Sequence, residues 1–516
     1  MSDHSEQEIL QIDPLKERTE RLRKLSEIKE MGIQPYPERF EKTHSIAQIL
    51  KISEDENNIK TVEEISANNA KTYRTAGRIV MSRTHGKLSF LHLLDDSGKM
   101  QLALMQDLIG KDTYKFFEKK VDLGDFIGIA GELFRTKHGE VTVLVTEFTF
   151  LGKALRPLPD KFHGLKDRET LYRQRYLDLI SNQETKKRFQ FRSNFIKALR
   201  EFYWSKGFDE VETPILTTNA SGALATPFKT YHNALDTEMY LRIAPETFLK
   251  ECVVGGYEKV FEIGRIFRNE GIDPSHLQDF TMVEHYAAYW NYEDNMKFTE
   301  EMFTHLLMKL NGSMKVNLLD KEGVQHEIDF TPPWPRVTFR DLLIKDADID
   351  LADHKTVESL REAIREKNIH IEGMDKLGLG NLIDHLYKKV SRPKIISPTF
   401  LIGHPLDLSP LARKNDDNPA IVDRFQLVVA TWEVLNAYSE LVDPLDQKER
   451  FESQSSAKDA GDTEAHSKDD EYVEAMEYGM PPISGFGMGI DRMVTLLTQQ
   501  ENLRDTVLFP LMRPKK

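Results

Sequence analysis

Cysteine is almost missing from these 516 residues, and Cys252 stands alone. An intramolecular disulfide is therefore excluded, and so is a metal held by several thiolates, which leaves oxygen ligands for any cation. Long apolar runs are missing as well: nothing approaches the roughly 18 residues that a membrane helix needs. The opening MSDHSEQEILQIDPLKERTE lacks the basic-then-apolar build of a signal peptide, so a cytoplasmic protein with no membrane association is expected. There is no G-x-x-x-x-G-K-[ST] phosphate loop and no dinucleotide glycine fingerprint followed by an acid. The 16 histidines include no His-x-x-x-His pair with a third ligand, which removes the zinc hydrolases. Positive charge is in deficit, with 70 Lys and Arg against 84 Asp and Glu and a net charge of −14. That speaks against a general nucleic-acid binder, but a specific RNA partner met by local basic strips stays open.

What is present fits a soluble chain of two or three domains. Residues 15–31 set Leu15, Leu22, Leu25, Ile28 and Met31 at helical spacing amid mixed charge. This reads as a helix packed on its neighbour, with contact to RNA through its Arg and Lys as the second reading. From about 73 to 151, RTAGRIVMS, KLSFLHLLDD, KMQLALM, GDFIGIAGELF and EVTVLVTEFTF read as short strands, with the helical DTYKFFEKKV before the fourth. Val141, Val143 and Val145 alternate, and Phe148 and Phe150 fall out of phase, which predicts a bulge. Such a set matches a small Greek-key barrel of the OB type, a fold that stacks single-stranded bases on aromatics. Beyond a basic, Pro-containing hinge, amphipathic helices (FRSNFIKALREFYWSKG, MKFTEEMFTHLLMKLNG) mix with strands without regular β-α alternation. The fold class is thus α+β: an N-terminal five-stranded OB-type barrel, then a body on an antiparallel sheet flanked by helices. The expected divisions are 1–70 helical extension, 71–152 barrel, 153–183 hinge and 184–516 catalytic body. The polar 453–472 segment is expected to be a mobile excursion.

If the chain uses ATP, arginines and metal must hold the phosphates. FEIGRIFRNEGIDPSHLQDFTMVEHY (261–286) carries Arg268, Glu270, His276 and Phe280 on a strand–loop–strand, and GFGMGIDRM (485–493) is a Gly-rich strand entering a helix at Arg492. Glycines permit close backbone approach and Arg offers a planar fork to phosphate. Each pattern alone is more often structural than catalytic. Together, and with KGFDEVETPIL (206–216) before them, they resemble motifs 2, 3 and 1 of the class II aminoacyl-tRNA synthetases. A barrel ahead of that body is the layout of the lysine, aspartate and asparagine subgroup. RPLPDKFHGLKDRETLYRQRYLDLI, YLRIAPETFLKECVVGGYEKVFEIGRIFRNEG, NAYSELVDPLDQKERF and GMGIDRMVTLLTQQENLRDTVLFPLMRP resemble the lysine branch, over the chain from about residue 15 onward.

The resemblance implies activation of L-lysine with ATP to an adenylate, then transfer to the terminal ribose of tRNA(Lys), in a homodimer built through motif 1. Free lysine brings two ammonium groups and a carboxylate, so acids and one arginine suit its pocket. Glu246, Glu284, Tyr286, Asn436, Tyr438 and Glu440 are the acids and neutral hydrogen-bonders available. By resemblance, Glu440 and Tyr286 hold the ε-ammonium, Glu246 and the Gly222 backbone the α-amino group, and Arg268 the carboxylate. Gly487 lets the substrate lie on the backbone. Arg268, Glu270 and Arg492 form the catalytic set; Arg268 also meets the α-phosphate, Arg492 the γ-phosphate, Phe280 the adenine, and Glu270 and His276 the base and phosphates. Magnesium is expected on Glu433, with Gln426 beside it. In the barrel, Phe90, Gln101 and Glu140 fall where the subgroup reads the central uridine of the anticodon, with Arg78 beside them.

Three departures from the family wording stand out. Leu277 and Asp279 make HLQDF where H-N-P-E-F is usual in the lysine branch, Gln426 replaces a metal-binding Glu, and Ser221 and Thr226 alter G-G-A-x-A-R-P-F. The HLQDF loop keeps an aspartate or asparagine enzyme as the rival, against which Glu440 argues by repelling an acidic side chain. A lysine-transferring protein modifier would lack the barrel, and a non-catalytic RNA-binding protein would not need Arg268, Glu433 and Arg492 together.

Overall fold

The computed structural model describes residues 14–68, 72–159, 167–223, 225–459 and 469–514. Two compact units divide between residues 164 and 165. In the first, β1 (Tyr73–His85), β2 (Leu88–Leu94), β3 (Lys99–Met105), β4 (Phe126–Arg135) and β5 (Val141–Gly152) close a barrel in the order β1-β2-β3-β5-β4. Only β3 and β5 run parallel. Leu91, Leu93, Leu102, Leu104, Val143 and Val145 point inward and are wholly buried, as alternation requires. The expected bulge is there: β4 residues Ala130 and Gly131 pair with Glu147 and Val145, so Thr146 is skipped. The helix Lys111–Lys120 packs Tyr114, Phe116 and Phe117 against this core.

The helix Pro14–Glu30 docks on the barrel differently from its sequence pattern. Of the five apolar residues singled out, Ile28 is buried, whereas Leu15, Leu22 and Met31 are exposed. The anchor is Arg21, 4% exposed, whose guanidinium donates to the carbonyls of Leu123 and Ala154. Three carbonyls and a carboxylate partner replace the water that a buried guanidinium loses, which an apolar pattern cannot foretell.

In the second unit the main sheet has eight strands: β6 (Asp209–Glu210), β10 (Lys259–Phe267), β11 (Asp279–Ala288), β14 (Arg336–Thr338), β15 (Thr399–Pro405), β16 (Ile421–Val429), β17 (Trp432–Ser439) and β18 (Ile483–Gly489). Their order is β14-β15-β16-β17-β18-β11-β10-β6, antiparallel except at the two edges. The short β7 (Leu216–Thr217), β8 (Lys229–His232) and β9 (Thr237–Leu241) form a separate sheet, and β12 (Lys315–Leu319) and β13 (Gln325–Asp329) a hairpin. One face of the large sheet presents Phe261, Val283, Phe425, Leu435, Phe486 and Met488 to the helices Gln183–Ser205 and Tyr292–Asn311. Each such side chain contributes roughly 1.5–3 kcal/mol on burial. Asn182 caps the first helix; Asn291 and Asp294 form a capping box on the second, which Gly312 ends in the left-handed region. The opposite face of the sheet is left for the site.

The 453–472 segment departs from expectation at both ends. Residues up to Asp459 continue the helix Pro444–Asp459, and Asp470–Glu477 is again helical, with Tyr472 wholly buried. Residues 460–468 lie outside the described set. Among the described residues no helix is long and apolar enough to cross a membrane.

In the barrel unit the wholly buried Lys153 ammonium lies 2.7 Å from the equally buried Asp125 carboxylate and 2.9 Å from the Lys120 carbonyl. Lys153→Met leaves that carboxylate unpaired and should cost roughly 3–5 kcal/mol. Urea denaturation of the full chain reads this; an unchanged first transition would mean the pair carries no weight.

Candidate functional site

The free face of the sheet is written in one strand. Along F-T-M-V-E-H-Y, Phe280, Met282, Glu284 and Tyr286 line a cavity of about 400 Å³, whereas Val283, His285 and Ala287 turn to the core. Pairing extends this face sideways. Asn436, Gly487 and Glu284 lie in one row across β17, β18 and β11, and Tyr438, Gly485 and Tyr286 in the next. Glycine occupies every cavity-facing position of β18. A Cβ on Gly485 would stand 2.1 Å from Glu440 Oε1 and 2.4 Å from Tyr286 Cε1; on Gly487 it would meet only Met282 and Glu284 side chains, at 3.3 Å or more.

Glu433 reaches the same face by a different device. β16 pairs Leu427 with Leu435 but Val428 with Glu433, so Val434 is an extra residue. This bulge turns an odd-numbered side chain onto the face of Asn436 and Tyr438.

At the Tyr286 end the site is acidic. Glu246 opens the helix Glu246–Val254, one turn before Lys250. The wholly buried Lys250 donates to Glu246 Oε1 at 2.6 Å and lies 2.5 Å from Glu440 Oε2, while Tyr438 OH donates to Glu246 Oε1 at 2.8 Å. The ammonium also sits 5.6–5.8 Å from the ring centres of Tyr286, Tyr438 and Tyr472. Burial disfavours its charge, but Glu246 and Glu440 hold it well above the usual lysine value. Glu284 is pushed up to about 8 by burial, with Glu246 adding and Arg268 opposing, and it accepts from Tyr286 OH at 3.3 Å. Gly222, at φ +86°, comes so near Glu246 that a Cβ would stand 2.9 Å from the Glu246 Cβ. Glu440 does not stand on the open wall where it was expected. It lies behind Gly485, held by the ion pair with Lys250, and its buried Oε1 has no hydrogen-bond partner. Lys250 and Tyr472 were missed; an acid and a lysine one helical turn apart (E-T-F-L-K) read most simply as a solvated pair.

The other end is cationic. The Arg268 guanidinium is stacked 5.3 Å from the Phe280 ring centre and touches the Ile243 carbonyl at 3.4 Å. Arg492 donates to the Glu433 carbonyl at 2.7 Å. Burial would raise the Glu433 carboxyl, but Arg492 and Arg424 outweigh it and hold Glu433 below the usual range. Arg424 also donates to Asn436 Oδ1 at 2.7 Å, which turns the Asn436 amide toward Glu433. It too was missed, hidden in a hydrophobic strand. Glu270 and His276 lie on the loop between β10 and β11, where Asp273 holds His276 Nδ1 at 2.7 Å. Leu277 lines the cavity beside them.

Gln426 is not on the cavity wall. It is buried opposite Asn436, one strand further out, so of the expected pair only Glu433 offers a cation its side chain in the cavity. No cluster of three metal-ligating side chains occurs among the described residues. This donor set fits a hard cation that draws its remaining ligands from phosphate oxygens and water.

On the barrel, Phe90 faces Ala103 and Arg83, and His92 faces Gln101, whose amide donates to Thr142 at 2.9 Å. Glu140 comes within 3.7 Å of His92. Phe90, Gln101 and Glu140 are thereby brought onto one outer patch. Arg78 is not: it pairs with Leu94, four residues along β2, and its guanidinium is bonded to the Gly124 carbonyl over the Phe126 ring. Arg83, directly across from Phe90, takes the place expected of it.

Comparison with known proteins agrees with this division. Residues 167–513 match the family model for class II tRNA synthetases (D, K and N), and residues 73–151 that for the OB-fold nucleic acid binding domain. The chain is 46% identical over 497 residues to a lysine–tRNA ligase of Thermosipho africanus, covering 96% of each. It is 47% identical over 495 residues to that of Syntrophomonas wolfei (96% of each), and 45% identical over 496 residues to that of Bacillus cereus (96% and 97%).

Gly485 and Gly487 should separate packing from binding. Gly485→Ala overpacks Glu440 and Tyr286 and should lower stability by about 1–3 kcal/mol. Gly487→Ala should melt near wild type yet weaken binding of whatever fills the cavity. Melting curves and a substrate titration of both variants check this; equal behaviour would refute the distinction.

Proposed function

The chain belongs to the lysine–tRNA ligases of the class II tRNA synthetase family, and from that premise we propose how its own residues carry the reaction. One observation supports the assignment of roles above all: a single cavity joins the buried Glu246 and Glu284, with Glu440 behind Gly485, at one end to Arg268, Phe280 and Arg492 at the other. Lysine lies along β11, its ε-ammonium toward Glu440 and Tyr286 and its α-amino group on Glu246 and the Gly222 backbone. Arg268 takes its carboxylate. ATP lies beyond, with adenine on Phe280, its phosphates toward Arg268 and Arg492, and Glu270 and His276 closing over it.

A lysine carboxylate oxygen then attacks the α-phosphorus, the α–β anhydride bond breaks, and pyrophosphate leaves. In the second step the terminal ribose hydroxyl of tRNA(Lys) attacks the acyl carbon, and AMP leaves. No side chain needs to form a covalent bond, so rate comes from positioning and from cations set where negative charge accumulates. Arg268 bridges the attacking carboxylate and the α-phosphate; Arg492 faces the departing pyrophosphate. Magnesium held by Glu433 would supply further charge neutralisation there. Phe90, Gln101 and Glu140 receive an anticodon base, with Arg83 placed for its phosphate; stacking on Phe90 contributes roughly 1–3 kcal/mol. A homodimer through residues 206–216 fits the exposed Trp204, Ile215 and Leu216 near the edge strand β6.

ATP–pyrophosphate exchange should depend on lysine and not on aspartate, and Arg492→Ala should abolish it; strong exchange with aspartate alone would refute the assignment. Lysylation of transcripts with substituted anticodons tests the barrel beside it. Glu284 stands in the cavity wall between the groups that take the two ammoniums. Its carboxyl, pushed up to about 8 by burial, must lose its proton before it adds negative charge to that end. Below about 8, part of the binding energy is spent on that deprotonation. The kcat/KM for lysine should therefore rise from pH 6 to 8 and level off above it. Glu284→Gln should flatten this limb, and an unchanged profile would assign the limb elsewhere.

A further inference from the structure

Among the described residues Lys250 is the one buried cation in contact with Glu246 and Glu440, and the reaction as derived does not use it. Its position is specific. It contacts Oε1 of Glu246 and Oε2 of Glu440 and leaves Oε1 of Glu440 buried without a partner. That oxygen lies over Gly485, where the backbone carries no side chain and a Cβ would fall 2.1 Å away. An unsatisfied buried carboxylate oxygen is costly, and a donor supplied by a ligand would remove that cost.

We propose that Lys250 is a positioning residue for amino-acid recognition: it pins one oxygen of Glu440 and directs the other to the incoming ε-ammonium. The inference rests on the lysine-binding reading of the cavity. Two consequences follow from the geometry. Lys250 occupies the far side of Glu440, so a substrate ammonium meets a like charge if it goes deeper, and the pocket is closed at that depth. Lys250 also supplies the positive charge that opposes neutralisation of Glu440 by burial. Glu246, Glu284, Tyr286, Tyr438 and Tyr472 are the other titratable groups around this pair, and none is a cation. Burial holds the Glu440 carboxyl well above the usual carboxylate range, Lys250 draws it back, and with Lys250 removed no cation among these neighbours would do so.

The test is a double-mutant cycle in the full chain, read by ATP–pyrophosphate exchange. Lys250→Met should raise the KM for lysine by about tenfold or more while leaving the KM for ATP within about twofold. Glu440→Gln should raise the lysine KM likewise. The double variant should be no worse than Glu440→Gln within about twofold, because Lys250 acts through Glu440. Multiplying losses, or an unchanged lysine KM in Lys250→Met, would overturn the proposal. If Lys250→Met does not fold, the double variant should be the more stable of the two, since it removes one of the two carboxylates that lose their cation and leaves Glu246 with the Tyr438 hydroxyl. Failure of both would make Lys250 a purely structural residue and also overturn it. If Glu440→Gln leaves the lysine KM unchanged, it is the placement of the ε-ammonium that fails, whatever Lys250 does.

Discussion

A carboxylate taken out of water costs several kcal/mol unless a cation or hydrogen-bond donors replace what it loses, and the catalytic unit buries Glu246, Glu284 and Glu440 around one cavity. Much of the local architecture answers that cost. Lys250 is shared between two of the three, Tyr438 and Tyr286 donate to Glu246 and Glu284, and Arg268 opposes the rise of Glu284. The balance is incomplete in an informative way. With all three acids ionised, the state that two ammonium groups favour, three negative charges against Lys250 and Arg268 leave one in excess. Free lysine, with two ammonium groups and one carboxylate, brings one positive charge in excess. Aspartate would bring the opposite charge and find no cation for its side chain. Selectivity of this kind comes from the penalty on the wrong substrate as much as from contacts to the right one.

The same logic explains which parts of the site could be read from sequence. The face of β11 was legible because alternation is a property of the strand itself: once F-T-M-V-E-H-Y is a strand, Phe280, Glu284 and Tyr286 share a side. The glycines of β18 were legible as close-approach positions, but not the difference between them. Gly485 is required by the close approach of Glu440 and Tyr286, while a Cβ at Gly487 would meet side-chain atoms of Met282 and Glu284 at 3.3 Å or more. Glu433 stands out of phase on β17 and reaches the cavity only through the extra residue Val434, a feature of pairing between strands that no single strand announces. Lys250 and Arg424 were invisible for a related reason. Each sits in an ordinary-looking helix or strand, and only the tertiary arrangement brings carboxylates and amides to it. Arg78 shows the converse: its spacing near the barrel patch was suggestive, but register sets it four residues along β2 from Phe90 and puts Arg83 there instead.

The helix-covered face of the sheet fixes the cavity from behind. His285, pushed down to about 3 by burial and therefore neutral, bonds Tyr203 at 2.8 Å and Asn295 at 2.7 Å. Asn295 in turn donates to Ser484, and Ser484 to the Tyr438 carbonyl. This chain ties the helices Gln183–Ser205 and Tyr292–Asn311 to β11, β18 and β17, the strands that carry the amino-acid end. At the phosphate end Asp491 does the equivalent, accepting from the Thr281 backbone at 2.6 Å and pairing with Arg192 at 2.7 Å, so that β11 and the helix carrying Arg492 move together. A fully bonded polar network of this sort rigidifies what it joins.

Rigidity matters unequally along the cavity. A reaction that asks for no covalent participation draws its rate from the placement of groups within fractions of an ångström, and groups on strands are placed better than groups on loops. Glu284, Phe280, Glu433 and Gly487 sit on β-strands, Glu246 opens a helix, and Glu440 directly follows β17 and is bridged to Ala412. Glu270, His276 and Leu277 sit on the connection between β10 and β11, braced by the Asp273–His276 pair and the bond from Gln278 to the Gly271 carbonyl. The departure of this loop from the usual family wording therefore falls on a connection between strands, the part of the site proposed to close over ATP. The amino-acid end, where an error would load the wrong residue onto tRNA, is the part the sheet holds fixed.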